Sequence, residues 1–321
     1  MKFFWLNFQL AYQCRHSGIC CTSGWPIPVE PNRVNAIDET IGREAIPLTV
    51  TPWLVSSANL PDDVAGTLAL RDNAHCVFFE AGKPGCAIHG VKPASCAHFP
   101  FVCLLDQRGV HVTLSHYCPT STALLFEHNG PIEIVEGPSP IPDLDLLEGL
   151  DARDSLPPLR PGSNETLMSL DELSAWERDR VARARIGELQ PDDIALFDRA
   201  RAAVPVPLSW PEAPDHLESI FFTSVAPAWP KFEDVLTRYA AGKAFGSWSL
   251  YLGEGIAAAE HTARIAHAVL RIECARQCRA FGRPLDRELL SNAIEQSVLL
   301  LVHYADPERL ATLPSTDRPR D

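Results

Sequence analysis

Eight of the ten cysteines in this 321-residue chain fall within one stretch: Cys14, Cys20, Cys21, Cys76, Cys86, Cys96, Cys103 and Cys118. The other two, Cys274 and Cys278, lie far downstream. Dense thiols restrict a fold to three solutions: crosslinks, a shared metal, or simple burial as small apolar groups. Compartment decides between the first two. The opening run Met1-Lys-Phe-Phe-Trp-Leu-Asn-Phe-Gln-Leu10 is apolar, but Asn7 and Gln9 break it and no small-residue cleavage site follows. It reads as an edge strand or packing segment rather than an export signal. A cytoplasmic chain keeps its thiols reduced, and clustered thiols there more often bind metal than pair as disulfides. No apolar run reaches the ~18 residues a membrane span needs.

Two stretches carry the chemistry. In Cys14-Arg-His-Ser-Gly-Ile-Cys20-Cys21, the adjacent cysteines are poorly placed to crosslink each other. They can serve one metal site, or one site each. Gly18 lets the backbone curl so that amides face thiolate sulfur, which spreads its charge. In the second stretch, Cys86-Ala-Ile-His89 precedes Lys92-Pro93-Ala-Ser-Cys96-Ala-His98-Phe-Pro100. A Cys-x2-His segment offers a chelate bite for tetrahedral zinc. Pro93 and Pro100 stiffen the loop that carries Cys96. The candidate metal ligands are Cys14, Cys20, Cys21, Cys76, Cys86, Cys96, Cys103, Cys118 and His89. Imidazole suits zinc and the excess of sulfur suits an iron–sulfur cluster, so both metals stay open. His98 reads equally as a ligand or its neighbour and as an ordinary histidine, whereas His111 and His116 read as surface or hydrogen-bonded residues.

The length implies two domains. Residues 137–163 hold six prolines and five acidic residues, which predicts an extended linker. Upstream, Val110, Val112 and Leu114 alternate with polar residues as in a half-buried strand. Cys76-Val-Phe-Phe-Glu80 and Cys86-Ala-Ile-His89 flank Ala-Gly-Lys-Pro-Gly85 as in a hairpin. Downstream the pattern is helical. Ser169-Leu-Asp-Glu172 is a capping box, Pro191-Asp-Asp opens a helix, a long helix spans about 256–280, and another follows Asp286. The expected fold class is α+β: a small Cys-rich metal-binding domain with short strands over 1–136, a linker over 137–163, and an all-helical domain over 164–321.

Charge bears on partners. Residues 1–130 hold 8 basic and 10 acidic side chains, a net of −2; residues 131–321 hold 20 and 31, a net of −11. That surface repels phosphate backbones, so nucleic acid is excluded as a partner. It would attract a lysine-rich protein.

Taken as a set, these motifs resemble the cysteine-cluster family named for its Cys-x2-Cys-x2-Cys-Cys motif, described as a zinc- or iron-chelating domain, and its flagellin lysine-N-methylase branch. Cys14…Cys20-Cys21 is similar to the opening motif. Thr22-Ser-Gly-Trp25-Pro-Ile-Pro-Val resembles the segment that follows it. Gly85-Cys86-Ala-Ile-His89 and Lys92-Pro93-Ala-Ser-Cys96 resemble the family's Gly-Cys-x-Ile-Tyr and Arg-Pro-x2-Cys segments, and Cys118-Pro119 its closing Cys-Pro. The match covers about residues 10–125. Ser17 departs from it by standing where the second Cys of the motif belongs. A hydroxyl is a poor ligand, which leaves His16, Cys76 or Cys103 as substitutes.

The resemblance implies metal binding and S-adenosylmethionine-dependent N-methylation of protein lysines. The residues themselves carry no strand–Gly-loop–helix fingerprint for an adenosyl cofactor. Gly253-Glu-Gly255 reads as a helix start. Cys274 and Cys278 share a helix face and read as core thiols. Glu260 and His267 share another face as a polar pair. The alternative to an enzyme is a zinc-stapled protein-interaction module.

Overall fold

The computed structural model describes residues 1–57, 60–80, 85–142, 144, 147–155, 167–206 and 208–313. The turn of the expected hairpin (81–84) and, in the proline-rich stretch, positions 143, 145, 146 and 156–163 lie outside them. The chain is mixed α/β and divides into two compact units. One comprises Met1–Tyr12, Val102–Pro138 and Gly149–Asp321; the other comprises Gln13–Phe101 and Ser139–Glu148.

The larger unit contains a five-stranded sheet in the order Leu150–Asp151, Phe101–Asp106, Gly109–Leu114, Phe3–Leu6, Ile134–Gly137. Phe3–Leu6 is therefore an inner strand and not the expected edge. It runs parallel to Gly109–Leu114, with Phe3 opposite Val110, and antiparallel to Ile134–Gly137. Its two faces explain the position: Phe3, Trp5 and Leu6 are all buried, as befits a strand covered on both sides. Gly109–Leu114 likewise departs from the half-buried expectation. Its polar face is buried too, because His111 bonds Asp106 at 3.1 Å and Thr113 donates to the Val102 carbonyl at 3.2 Å. With partners supplied, buried polar groups cost little.

The helices follow the sequence closely. Ser169 and Glu172 form the reciprocal capping box of Leu170–Ala182. Asp193–Ala202, Glu233–Ala244 and the 26-residue helix Ile256–Phe281 come next, the last stopped by Gly282 in the left-handed region. Asp286 caps Arg287–Val298 by accepting from the Leu289 amide at 3.0 Å. Ile265, Val269 and Ile272 are fully buried, and Cys274 and Cys278 are core thiols as expected. Glu260 pairs with Arg180 at 3.5 Å rather than with His267. Burial and the nearby Arg271 and Arg180 charges push the His267 imidazole down to about 3.

One helical carboxyl predicts a pH effect. Burial alone holds Glu295 up at about 7. An acid whose folded pKa lies above its unfolded ~4.3 favours folding at low pH and opposes it progressively as pH rises through that window. Glu295→Gln is therefore expected to raise stability by about 1–2 kcal/mol at pH 8, after discounting for its partial exposure, and by little at pH 4.5. Thermal melts at both pH values check this.

The smaller unit holds the helix Pro31–Glu44, opened by Pro31 at its first position. It also has a three-stranded antiparallel sheet in the order Pro28–Val29, Gly66–Leu68, Leu54–Val55, and the hairpin Phe79–Glu80 with Gly85–Cys86. Val29, Ile37, Val77, Phe78 and Ile88 form its core.

These units cut the chain elsewhere than at 136 and 164. The named elements from Leu170 onward are all helices, as expected, but they share their compact unit with the five-stranded sheet. The parallel pairing of Phe3–Leu6 with Gly109–Leu114 is what ties residues 1–12 and 102–138 to that unit. Nor is 137–163 free of elements. Leu150–Asp151 pairs in parallel with Leu104–Leu105, and 139–148 belongs to the smaller unit. No helix among the described residues is long and apolar enough to cross a membrane.

Candidate metal centre

Six of the predicted cysteine ligands and His89 belong to the smaller unit. Within it they form two groups, set by two turns. The first turn runs through Gly18. With φ of 77° it lets Cys21 N–H reach the Gly18 carbonyl at 2.8 Å and starts the short helix Ile19–Thr22. Only glycine fits here, since a Cβ would stand 2.5 Å from the Phe79 ring. The second turn follows the hairpin and closes from His89 N–H to the Cys86 carbonyl at 3.3 Å.

The first group is made of thiols alone. The Cys20 and Cys21 sulfurs lie 3.9 Å apart, and Cys86 lies close enough to act on the Cys21 thiol. Cys76 is tied to the same place through the backbone, its N–H donating to the Cys21 carbonyl at 2.7 Å. Cys96 sits on the short helix Ala94–His98, whose first amide, that of Ala94, donates to the Glu30 carboxylate at 3.1 Å. Cys20, Cys86 and Cys96 pack against the core that contains Cys21 and Cys76. All five thiols are free.

Burial and mutual interaction push these thiols in opposite directions. The hydrogen bond from Cys21 pulls Cys20 down to about 7 against the cost of burial, and Lys92 adds to the effect. The same donor lowers Cys86. Cys21, acted on by both neighbours and by burial, is driven far above the ordinary thiol range. Burial lifts Cys76 to about 11, and burial with the charges of Cys20, Cys86 and Cys76 lifts Cys96. Lys92 stands where the resemblance expects an arginine, and its charge offsets part of the thiolate charge.

The second group joins Cys14 and His89 to His16. Their ligand atoms all lie within 4.8 Å of one another. The Cys86–His89 bite expected from sequence is thus divided: Cys86 faces Cys21, while His89 faces His16 and Cys14. The turn sends the two side chains toward different partners.

The remaining predicted ligands, Cys103 and Cys118, belong to the larger unit. Cys103 is fully buried and its thiol is pushed up to about 12 by that burial. Cys118 precedes the helix Pro119–Glu127 and lies 3.8 Å from the Tyr12 hydroxyl. His98 is buried, its ring bonding backbone at Glu148 and Phe101. His116 is buried as well.

A polar network in the larger unit escaped the sequence reading. Asp106 accepts from Arg108 at 2.7 Å, from His111 at 3.1 Å and from the Tyr251 hydroxyl at 3.1 Å. Arg108 also reaches Glu177 at 3.0 Å, and Glu177 accepts from the Gly246 amide at 3.0 Å. The only local signal was the pair Asp106 and Arg108 flanking a hairpin turn.

The donors of the first group are sulfur alone, the type a thiophilic metal takes, but among the described residues no three of them bring their ligand atoms within 4.8 Å of one another. Four sulfurs around zinc at ~2.3 Å stand about 3.8 Å from one another at the edges of a tetrahedron. The Cys20–Cys21 separation of 3.9 Å matches such an edge and is nearly twice the ~2.05 Å of a disulfide. Comparison with models of protein families, with curated proteins and with solved structures finds no match.

Proposed function

We propose that the smaller unit binds a thiophilic metal, zinc or an iron–sulfur cluster, through Cys20, Cys21 and Cys86 with Cys76 or Cys96 completing the set. One observation carries the reading: five free thiols gather on one small core, and the sulfurs of Cys20 and Cys21 stand 3.9 Å apart, the edge length of a tetrahedral sulfur site. A metal bound there would displace the thiol protons, since the ligating form is the thiolate. It would tie the Cys14–Cys21 loop, the hairpin and the Ala94–His98 helix into one centre. Those three segments share a unit of few strands, so a staple there adds to a small core. The methyl transfer implied by the resemblance has no observation to carry it and forms no part of the proposal.

The full chain is purified anaerobically, and metal, acid-labile sulfide and the visible spectrum are measured. The expected result is close to stoichiometric metal. Iron with sulfide and a broad visible band identifies a cluster, whereas zinc with a featureless spectrum identifies a structural ion. A chain recovered with no metal, and unable to take up zinc or iron on reconstitution, contradicts the proposal.

A further inference from the structure

Cys14, His16 and His89 stand apart from the five thiols, and their chemistry is different: one sulfur and two imidazoles in place of sulfur alone. Among the described residues, no other group of three or more His, Cys, Asp or Glu brings all its ligand atoms within 4.8 Å of one another. Around a tetrahedral ion with arms of ~2.3 Å to sulfur and ~2.0–2.1 Å to nitrogen, neighbouring donors stand roughly 3.3–3.6 Å apart. Side-chain rotation of about an ångström closes that gap, and Cys14 and His89 are exposed and free to make it.

The backbone holds the three donors ready. His16 adopts φ of 56°, a left-handed conformation that a non-glycine residue takes at a cost. That turn brings the His16 amide to the Cys14 sulfur at 3.4 Å, an N–H of the kind that steadies a thiolate. It also sets the His16 ring edge-on to the His89 ring, with centroids 4.8 Å apart. The two segments are clamped by Gly85, whose φ of 75° lets it lie against the His16 backbone; a Cβ there would come within 3.3 Å of the His16 carbonyl. Neither imidazole makes a hydrogen bond among the described residues, so their ring nitrogens are available.

We infer that Cys14, His16 and His89 form a second metal site, specific for a divalent zinc-class ion. It has three protein ligands and a fourth position open to water or another small ligand. A three-ligand site that faces solvent keeps an exchangeable position, which a closed structural site lacks. This inference does not rest on the thiol centre. It also accounts for Ser17, since the imidazole of His16, one residue earlier, supplies the donor that a serine cannot.

The test is a titration of the metal-free full chain with Co(II) and then Zn(II), following ligand-field absorption and counting equivalents. The wild-type chain is expected to take a tight thiolate-rich equivalent and a weaker second one. His89→Ala and His16→Asn (asparagine tolerates the left-handed backbone) are expected to weaken the second by at least about 30-fold and to leave the first unchanged. Cys86→Ser is expected to do the reverse. A second equivalent that survives both histidine changes overturns the inference, as does a wild-type chain that binds only the equivalent lost in Cys86→Ser. A chain that binds only the equivalent lost in His89→Ala and His16→Asn supports the second site while overturning the thiol centre.

Discussion

Cys86→Ser strips the chain of most of its tightly held metal and lowers the stability of the smaller unit by about 3–5 kcal/mol, on the scale of losing a structural staple. The size follows from position. Cys86 packs on the core that contains Cys21, and it sits on the hairpin strand Gly85–Cys86 that also carries the chain toward His89. Serine keeps the shape but offers a hydroxyl, which stays protonated and ligates zinc or iron poorly. The metal then loses one arm, and the loops it joins regain conformational freedom in the unfolded and partly folded states. Chelator-induced unfolding, followed by circular dichroism on wild type and variant, reads the effect. Wild type should unfold only after the metal is withdrawn, and the variant should melt early with or without chelator. Cys103→Ser, in the larger unit, should leave metal content unchanged. Equal metal content and equal melting of wild type and Cys86→Ser would remove Cys86 from the ligand set.

Asp106→Ala costs the larger unit about 3–5 kcal/mol at pH 7, the range found when one partner of a buried ion pair is deleted. Asp106 is 3% exposed and accepts from Arg108, His111 and Tyr251 together. Its removal leaves Arg108 with only Glu177 and Ser174 and leaves His111 Nε2 without its acceptor. The acid dependence has a definite sign. Burial raises the Asp106 pKa, but the hydrogen bond and charge of His111, and then those of Arg108, outweigh it and hold the carboxyl well below the usual carboxylate range. A depressed carboxyl contributes stability that is complete above its unfolded pKa of ~3.9 and is lost as pH falls through the region below it. Wild type should therefore weaken steeply below about pH 4, while the variant, already lacking the contribution, should be nearly flat there. Denaturant melts at pH 7 and pH 3 measure both. A loss under about 1 kcal/mol at pH 7 would mean that the network is dispensable.

The parts of this fold that sequence reveals are those governed by neighbours in the chain. Ser169 and Glu172 announce a helix because both halves of the cap lie within one turn, and Asp286 does the same for the next. Ile265, Val269 and Ile272 mark the buried face of the long helix through spacing alone. Pairings across the chain are another matter. Nothing local tells that Phe3–Leu6 would run parallel to Gly109–Leu114, which makes an apparent edge strand an inner one and binds the N-terminus to the helical unit. Leu150–Asp151 is equally silent, being two residues inside a proline-rich stretch.

The candidate site divides along the same line. Cys20, Cys21 and Cys86 stand out in the sequence because their motifs are dense, and all three pack on the core of the smaller unit. The split of Cys86 from His89 was not, since an x2 spacing allows either a shared ion or a turn that separates its ends. His16 stood in the opening motif as one of three possible replacements for a missing thiol, and its left-handed backbone is what decides its direction. The Asp106 network was hidden by distance: Glu177 enters it from 69 residues beyond Arg108.

Metal-edge X-ray absorption on the full chain, reconstituted with one equivalent of metal, tests the central claim most directly. The thiol centre predicts a shell dominated by sulfur at about 2.3 Å, with Cys20→Ser and Cys86→Ser each reducing its sulfur count. A shell made only of light atoms at about 2.0–2.1 Å would contradict it.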